Sequence, residues 1–347
     1  MMHRQIVGLD LIRFAAAVLV MLFHVAFQAD HSLTSVAWFG WVGVHIFFVL
    51  SGAVIANSAE DRTAKAFLRG RILRLYPAVW ICATISLLIA GSPLVLYLRS
   101  LVIWPFPEWV NGAYWTLSVE MAFYGLIFVL LWRGWFERLS GVLAGLAVIS
   151  AVYWAVRIVG VRYPAVAALI EPVKDSRINQ LLLVPDGALF AAGGLIWLCL
   201  VKRTTAFRLA FLGLSVLTGA AEIYATAFGR APAVHQSALV PVVVWLVAVG
   251  LIIASFNVAL PQSRLVRFVG LMTYPLYLLH DDVGQVMLKA SGSLFVALAA
   301  AVAVAAVVTL FLEPPAKRLL AAALDRIGLA QPSIQAPASP RQAPGSA

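Results

Sequence analysis

Charge is scarce in this chain of 347 residues, with 12% Asp, Glu, Lys and Arg against 63% hydrophobic residues. A soluble globule carries about twice that charged fraction, so the composition excludes an ordinary water-soluble domain. Cysteine is scarcer still. Cys82 and Cys199 both fall in apolar runs, which excludes a disulfide framework and gives no Cys-based metal motif. The period-2 alternation that a transmembrane barrel needs is absent. No internal repeat is visible, which weighs against inverted-repeat transporter architectures. The first apolar run is interrupted by Asp10 and Arg13 and has no small-residue cleavage site after it, so no cleavable signal peptide is expected.

What remains is a chain of mean hydropathy +0.95 whose apolar runs recur along almost its whole length. Runs long enough to cross ~30 Å of hydrocarbon must satisfy their backbone internally, so they are read as helices. Ten spans are expected, over residues 8–29, 38–57, 76–91, 113–132, 139–156, 181–201, 209–228, 238–256, 268–288 and 293–312. The fold class is all-α, a polytopic membrane helix bundle. The prolines of "WPFPEWVNG" break any helix, which makes 92–112 a loop or a re-entrant segment.

Lys and Arg divide unevenly between the loops. With an inward N-terminus, seventeen fall on the cytoplasmic side and seven outside, while Arg13 lies within a span. That bias puts both termini in the cytoplasm and accounts for most of the +10 net charge, so nucleic acid is not an expected partner. Residues 1–320 read as one membrane domain. Residues 321–347, rich in Pro, Ala, Ser and Gln, read as a disordered tail.

Ionisable groups inside spans are costly and mark function by default. In "LDLIRFAAAVLVMLFHV" (9–25), Asp10 lies one turn before Arg13 and can pair with it. Eleven residues separate Arg13 from His24, which returns the imidazole to nearly the same helix face, about 16 Å along the axis. The ordinary alternatives are an arginine that snorkels to the interface and a histidine that bonds a neighbouring helix. His45 lies in the second span, followed by Ser51 and Gly52, small residues that let membrane helices approach. In "YWTLSVEMAFYG" (114–125), Thr116, Glu120 and Tyr124 share one stripe, and a carboxylate there needs a cation or a wet cavity. His280 closes a proline-marked helix beside Asp281 and Asp282, near the outer side. The stretch 60–77 is basic, as a short cytoplasmic loop should be. Within it, Arg71 and Arg74 stand at the bundle mouth, where guanidiniums can hold a phosphorylated ligand.

Five segments together resemble the acyltransferase type 3 family of integral-membrane O-acyltransferases. They are Arg13 with His24, "FFVLSG" (47–52), "RILRLYP" (71–77), "WTLSVEMAFY" (115–124) and "YPLYLLH" (274–280). "LLLVPDGALFAAGGLI" (181–196) adds a weaker match. The resemblance covers about residues 5–320. It implies transfer of an acyl group, usually acetyl, from cytoplasmic acyl-CoA to a hydroxyl on a glycan, a lipid-linked sugar or a small molecule. By the same resemblance His24 is the catalytic base, or in the alternative takes the acyl group itself and passes it on; Glu120 orients His24 or relays a proton, while Arg13, Arg71 and Arg74 bind the donor. Asp10, Ser51, Gly52, Tyr124 and His280 support them. No metal and no bound cofactor are implied; acyl-CoA is a co-substrate, and the site of action is a bacterial inner membrane. Two positions depart from the family pattern: His45 stands where an acid is common, and Asp281 where an amide is common. The alternative from another class is a transporter or flippase of a glycan or lipid intermediate. A membrane scaffold ranks third, because it would need no ionisable groups at lipid depth.

Overall fold

All ten apolar runs are helical in the computed structural model, which describes residues 6–31, 33–169, 171, 176–258, 261 and 263–329. Helix α1 (Val7–Met21) passes into a π-helical stretch, Leu22–Ala29. Then come α2 (Val42–Ala59), α3 (Ala64–Ala90), α4 (Leu94–Leu101), α5 (Tyr114–Trp132) and α6 (Leu139–Arg162). The second half holds α7 (Gly187–Trp197), α8 (Ala206–Phe228), α9 (Leu239–Asn257), α10 (Arg264–Ser291), α11 (Leu294–Val307) and α12 (Glu313–Arg326). No strand occurs among the described residues.

Among the described residues, eight helical segments are long and apolar enough to cross a membrane, which makes this a multi-pass membrane protein. The other two expected spans are also helical. One is the shorter Gly187–Lys202; the other is α10, whose 28 residues include five charged ones. Large apolar side chains such as Val161, Phe295 and Leu88 are at least three-quarters exposed, an outward face that only lipid tails would solvate.

Three sequence expectations need correction. The basic stretch 60–77 is not a loop beyond residue 63, because Thr63 caps α3 by accepting from the Ala66 N–H at 3.2 Å. Arg71 and Arg74 are therefore helical neighbours, and Pro77 sits inside the helix at the cost of one backbone bond. Part of 92–112 is helical as well: α4 ends before the prolines, and only the stretch after it is irregular. Finally, the ordered chain does not stop at residue 320, since α12 continues to Arg326, where Arg69 holds Asp325 at 2.7 Å. Of the expected tail, residues 330–347 lie outside the described residues.

Packing in this bundle depends on close van der Waals contact, because lipid removes most of the hydrophobic drive between helices. Helix α7, "GALFAAGGLIW", is buried at every position and packs on α2, α6 and α8. Its small residues make that possible. A Cβ on Gly193 would stand 1.8 Å from the Val49 carbonyl oxygen, and one on Gly52 would stand 2.1 Å from that of Phe190. Gly52 thus acts through packing, the ordinary role of a small residue in a membrane helix. On the other side of α2, α10 lies against α1 and α3, while α5 packs on α2 and α3. These five helices enclose the ionisable residues.

Candidate functional site

Six of the residues singled out in the sequence line one cavity of about 60 Å³: Arg13, Ser51, Arg71, Arg74, Glu120 and Tyr124. They come from α1, α2, α3 and α5, so the bundle, not any local motif, brings them together. Glu120 Oε1 accepts from Ser51 Oγ at 2.8 Å and from Tyr124 Oη at 3.0 Å. The four-residue spacing of Glu120 and Tyr124 makes the second bond possible within α5. Arg71 lies over the rings of Phe67 and Tyr124, 5.5 Å from each centroid. Asp10 sits 3.7 Å from Arg13, as their spacing predicts. Three guanidiniums against one carboxylate leave the cavity positive, a setting for an anionic or strongly polar ligand.

Helix α10 supplies the remaining wall, and sequence reasoning missed two of its residues. The Tyr274 hydroxyl is buried in this cavity without a hydrogen-bond partner among the described residues. The Tyr277 hydroxyl lies 2.8 Å from Thr116 Oγ1. Thr116 spends its own hydrogen on the Ala113 carbonyl at 3.0 Å, so Tyr277 is the donor in that pair.

His24 does not line this cavity. It lies on the π-helical stretch, and its ring faces that of His280 with centroids 5.1 Å apart and planes inclined by 46°. The expectation that Glu120 orients His24 is therefore corrected. The polar neighbours of the His24 ring are His280, Gln28 and Asp281, whereas the bonded Glu120 oxygen is held by Ser51 and Tyr124. The reason is the register of α5, which turns Glu120 toward the arginines.

His280 is 1% exposed, and its Nδ1 lies 2.7 Å from the Tyr277 carbonyl oxygen. A carbonyl only accepts, so Nδ1 carries the hydrogen and Nε2 keeps its lone pair. That Nε2 is buried and has no partner among the described residues. The Tyr277 ring lies 5.8 Å from His280 and also forms part of the cavity wall, so it links the histidine pair to the arginine cavity. Asn111, another residue missed in the sequence, secures this end of α10. Its amide donates to the Leu278 carbonyl at 2.9 Å and to Asp282 Oδ2 at 2.7 Å.

His45 belongs to a separate buried centre. Its own span offers it no carboxylate. The structure supplies one from α8: Glu222 Oε1 lies 3.4 Å from His45 Nε2, and Glu222 is 3% exposed. A lone acid inside "LTGAAEIYATAF" was the available signal. Among the described residues, no group of three or more His, Cys, Asp or Glu side chains is arranged to hold a metal ion.

A family model described as an acyltransferase domain, Acyl_transf_3, matches residues 6–313. No curated protein and no solved structure matches the chain. With nearly the whole helical bundle inside the matched range, the chain belongs to this acyltransferase family and is a membrane-embedded acyltransferase.

Proposed function

We propose that the protein moves an acyl group, acetyl first among the candidates, from cytoplasmic acyl-CoA to a hydroxyl of a glycan, a lipid-linked sugar or a small molecule. It does so in a bacterial inner membrane that it crosses ten times, with both termini inside. The observation that carries this reading is the pairing of two unlike regions: an arginine-lined cavity and, across Tyr277, two facing imidazoles. The donor enters from the side of the arginines, which hold its phosphates, and its slim pantetheine arm lies in the cavity. The free Tyr274 hydroxyl suits the amides of that arm.

At the histidines, neutral His24 accepts the proton of the acceptor hydroxyl as that oxygen forms a bond to the thioester carbonyl carbon. The resulting tetrahedral centre collapses, the carbon–sulfur bond breaks, and the thiolate takes the proton from His24. An ester and free CoA leave. His280, its tautomer set by the Tyr277 carbonyl, offers a second lone pair beside the same proton. A base in this position contributes ~10²–10⁴-fold.

The test is His24→Ala in purified, detergent-solubilised protein. Acyl-CoA-dependent release of free CoA should disappear while the thermal unfolding midpoint stays near that of the parent. Full turnover in that variant would reject the mechanism.

A further inference from the structure

A second cavity, of about 260 Å³, adjoins the first and shares Arg13, Arg74 and Val54 with it. Its other polar walls are Asp10, Asn57 and Arg267. Three guanidiniums therefore meet around one carboxylate. Neither Arg74 nor Arg267 forms an ion pair among the described residues, whereas Arg69 pairs with Asp325 and Lys202 with Glu60. Arg267 is exposed at the cavity edge, in the first turn of α10, where the helix dipole adds positive potential.

Two details prepare this cavity for an acceptor-rich ligand. Trp197 Nε1, which can only donate, bonds Asn57 Oδ1 at 3.1 Å, so the Asn57 amide nitrogen is left as a donor. One turn beyond Arg267, a Cβ on Gly270 would stand 2.7 Å from Asp10 Cβ. Only glycine lets α10 lie so close to α1 and keep Arg267 within the same cavity as Arg13. By contrast, Arg71 lines only the narrower cavity, stacked on Phe67 and Tyr124.

We infer that the wider cavity holds the diphosphate of a nucleotide-bearing donor, with Arg267 a donor-binding residue beside Arg13 and Arg74. This rests on the acyl-CoA reading above. A volume of about 260 Å³ against 60 Å³ then orders the site: the charged group stays in the wider cavity and only the thin thioester arm passes into the narrower. Guanidiniums suit phosphate because they present paired donors in one plane.

The test uses full-length Arg267→Gln in phosphatidylcholine nanodiscs with two donors, acetyl-CoA and the truncated thioester S-acetyl-N-acetylcysteamine, which has no phosphate. KM for acetyl-CoA should rise roughly tenfold, the loss of about one charge-assisted contact. KM for the truncated donor should change far less, and Arg267→Lys should recover part of the loss. Equilibrium binding of CoA should weaken in parallel. Equal KM changes for both donors, or undiminished CoA binding by Arg267→Gln, would overturn the assignment. A defect seen only when phosphatidylglycerol is present, and equal for both donors, would assign the cavity to a lipid phosphate and overturn it as well. If the parent protein neither binds CoA nor turns it over, the donor reading itself falls and takes this inference with it.

Discussion

Two histidines inside the bundle, His280 buried and His45 half-buried, differ in what they face. Each keeps one ring nitrogen that is buried and unpartnered among the described residues, Nε2 in His280 and Nδ1 in His45. His280 meets a second imidazole and lies one turn from Tyr277, which walls the arginine cavity. His45 meets a carboxylate from α8 and the ring of Trp41 at 5.2 Å, and it lines neither of the cavities that share Arg13 and Arg74. An ionisable ring inside the bundle is common to both. The neighbour distinguishes them: His280 faces a second imidazole and the Tyr277 ring that walls the arginine cavity, whereas His45 faces a carboxylate. His45 with Glu222 fits a structural pair that ties α2 to α8; His24 with His280 fits a reaction centre.

That contrast can be broken by mutation. After His24→Ala, the largest effect should come from His280→Asn, which removes the free lone pair beside His24. Turnover should fall by about 10²-fold or more with a KM for acyl-CoA close to the parent. His45→Asn should leave turnover within a few-fold and act instead on the unfolding midpoint; a collapse of turnover there would erase the distinction between the two centres.

Glu120→Ala comes next. It strips the arginine cavity of its carboxylate and orphans the Ser51 and Tyr124 hydroxyls, a loss of about 1–3 kcal/mol for polar groups left without a partner. Glu120→Gln keeps an acceptor oxygen for both hydroxyls and should melt well above the alanine variant. Equal melting of the two would show that those hydrogen bonds contribute little.

The smallest effect should come from Arg69→Ala. Its pair with Asp325 joins α3 to α12, and Asp325 is half exposed, so about 1 kcal/mol or less is at stake and turnover should not change. A change in turnover would draw α12 into the working part of the molecule.

Much of the fold was legible because hydrocarbon leaves few options. Apolar length located the eight helical segments long and apolar enough to cross a membrane, and the four-residue spacing of Thr116, Glu120 and Tyr124 placed them on one wall. Helix ends were less legible. Composition marks where a chain leaves lipid, whereas α3 begins at the Thr63 cap well before that point. Within the site, Arg13 and Glu120 were visible as charges in costly surroundings, Tyr124 by its spacing from Glu120, Ser51 as a small helix-packing residue, and Arg71 and Arg74 as guanidiniums at the bundle mouth; all six share one cavity. The partner of His24 was not visible, since nothing in "LFHVAFQA" indicates which distant helix its ring will face.

By itself, then, the sequence determined the solvent, the helical class and the set of polar residues that must find partners out of water. These follow from local chemistry: the length of an apolar run and the cost of a charge in lipid are properties of the residues concerned. Pairing was left to the tertiary structure. Glu120 went to Ser51, His24 to His280 and His45 to Glu222 because glycine and alanine faces on α2, α7 and α10 set how closely the helices approach and in what register. Contact between helices is a property of two surfaces at once, and no single stretch of chain contains it.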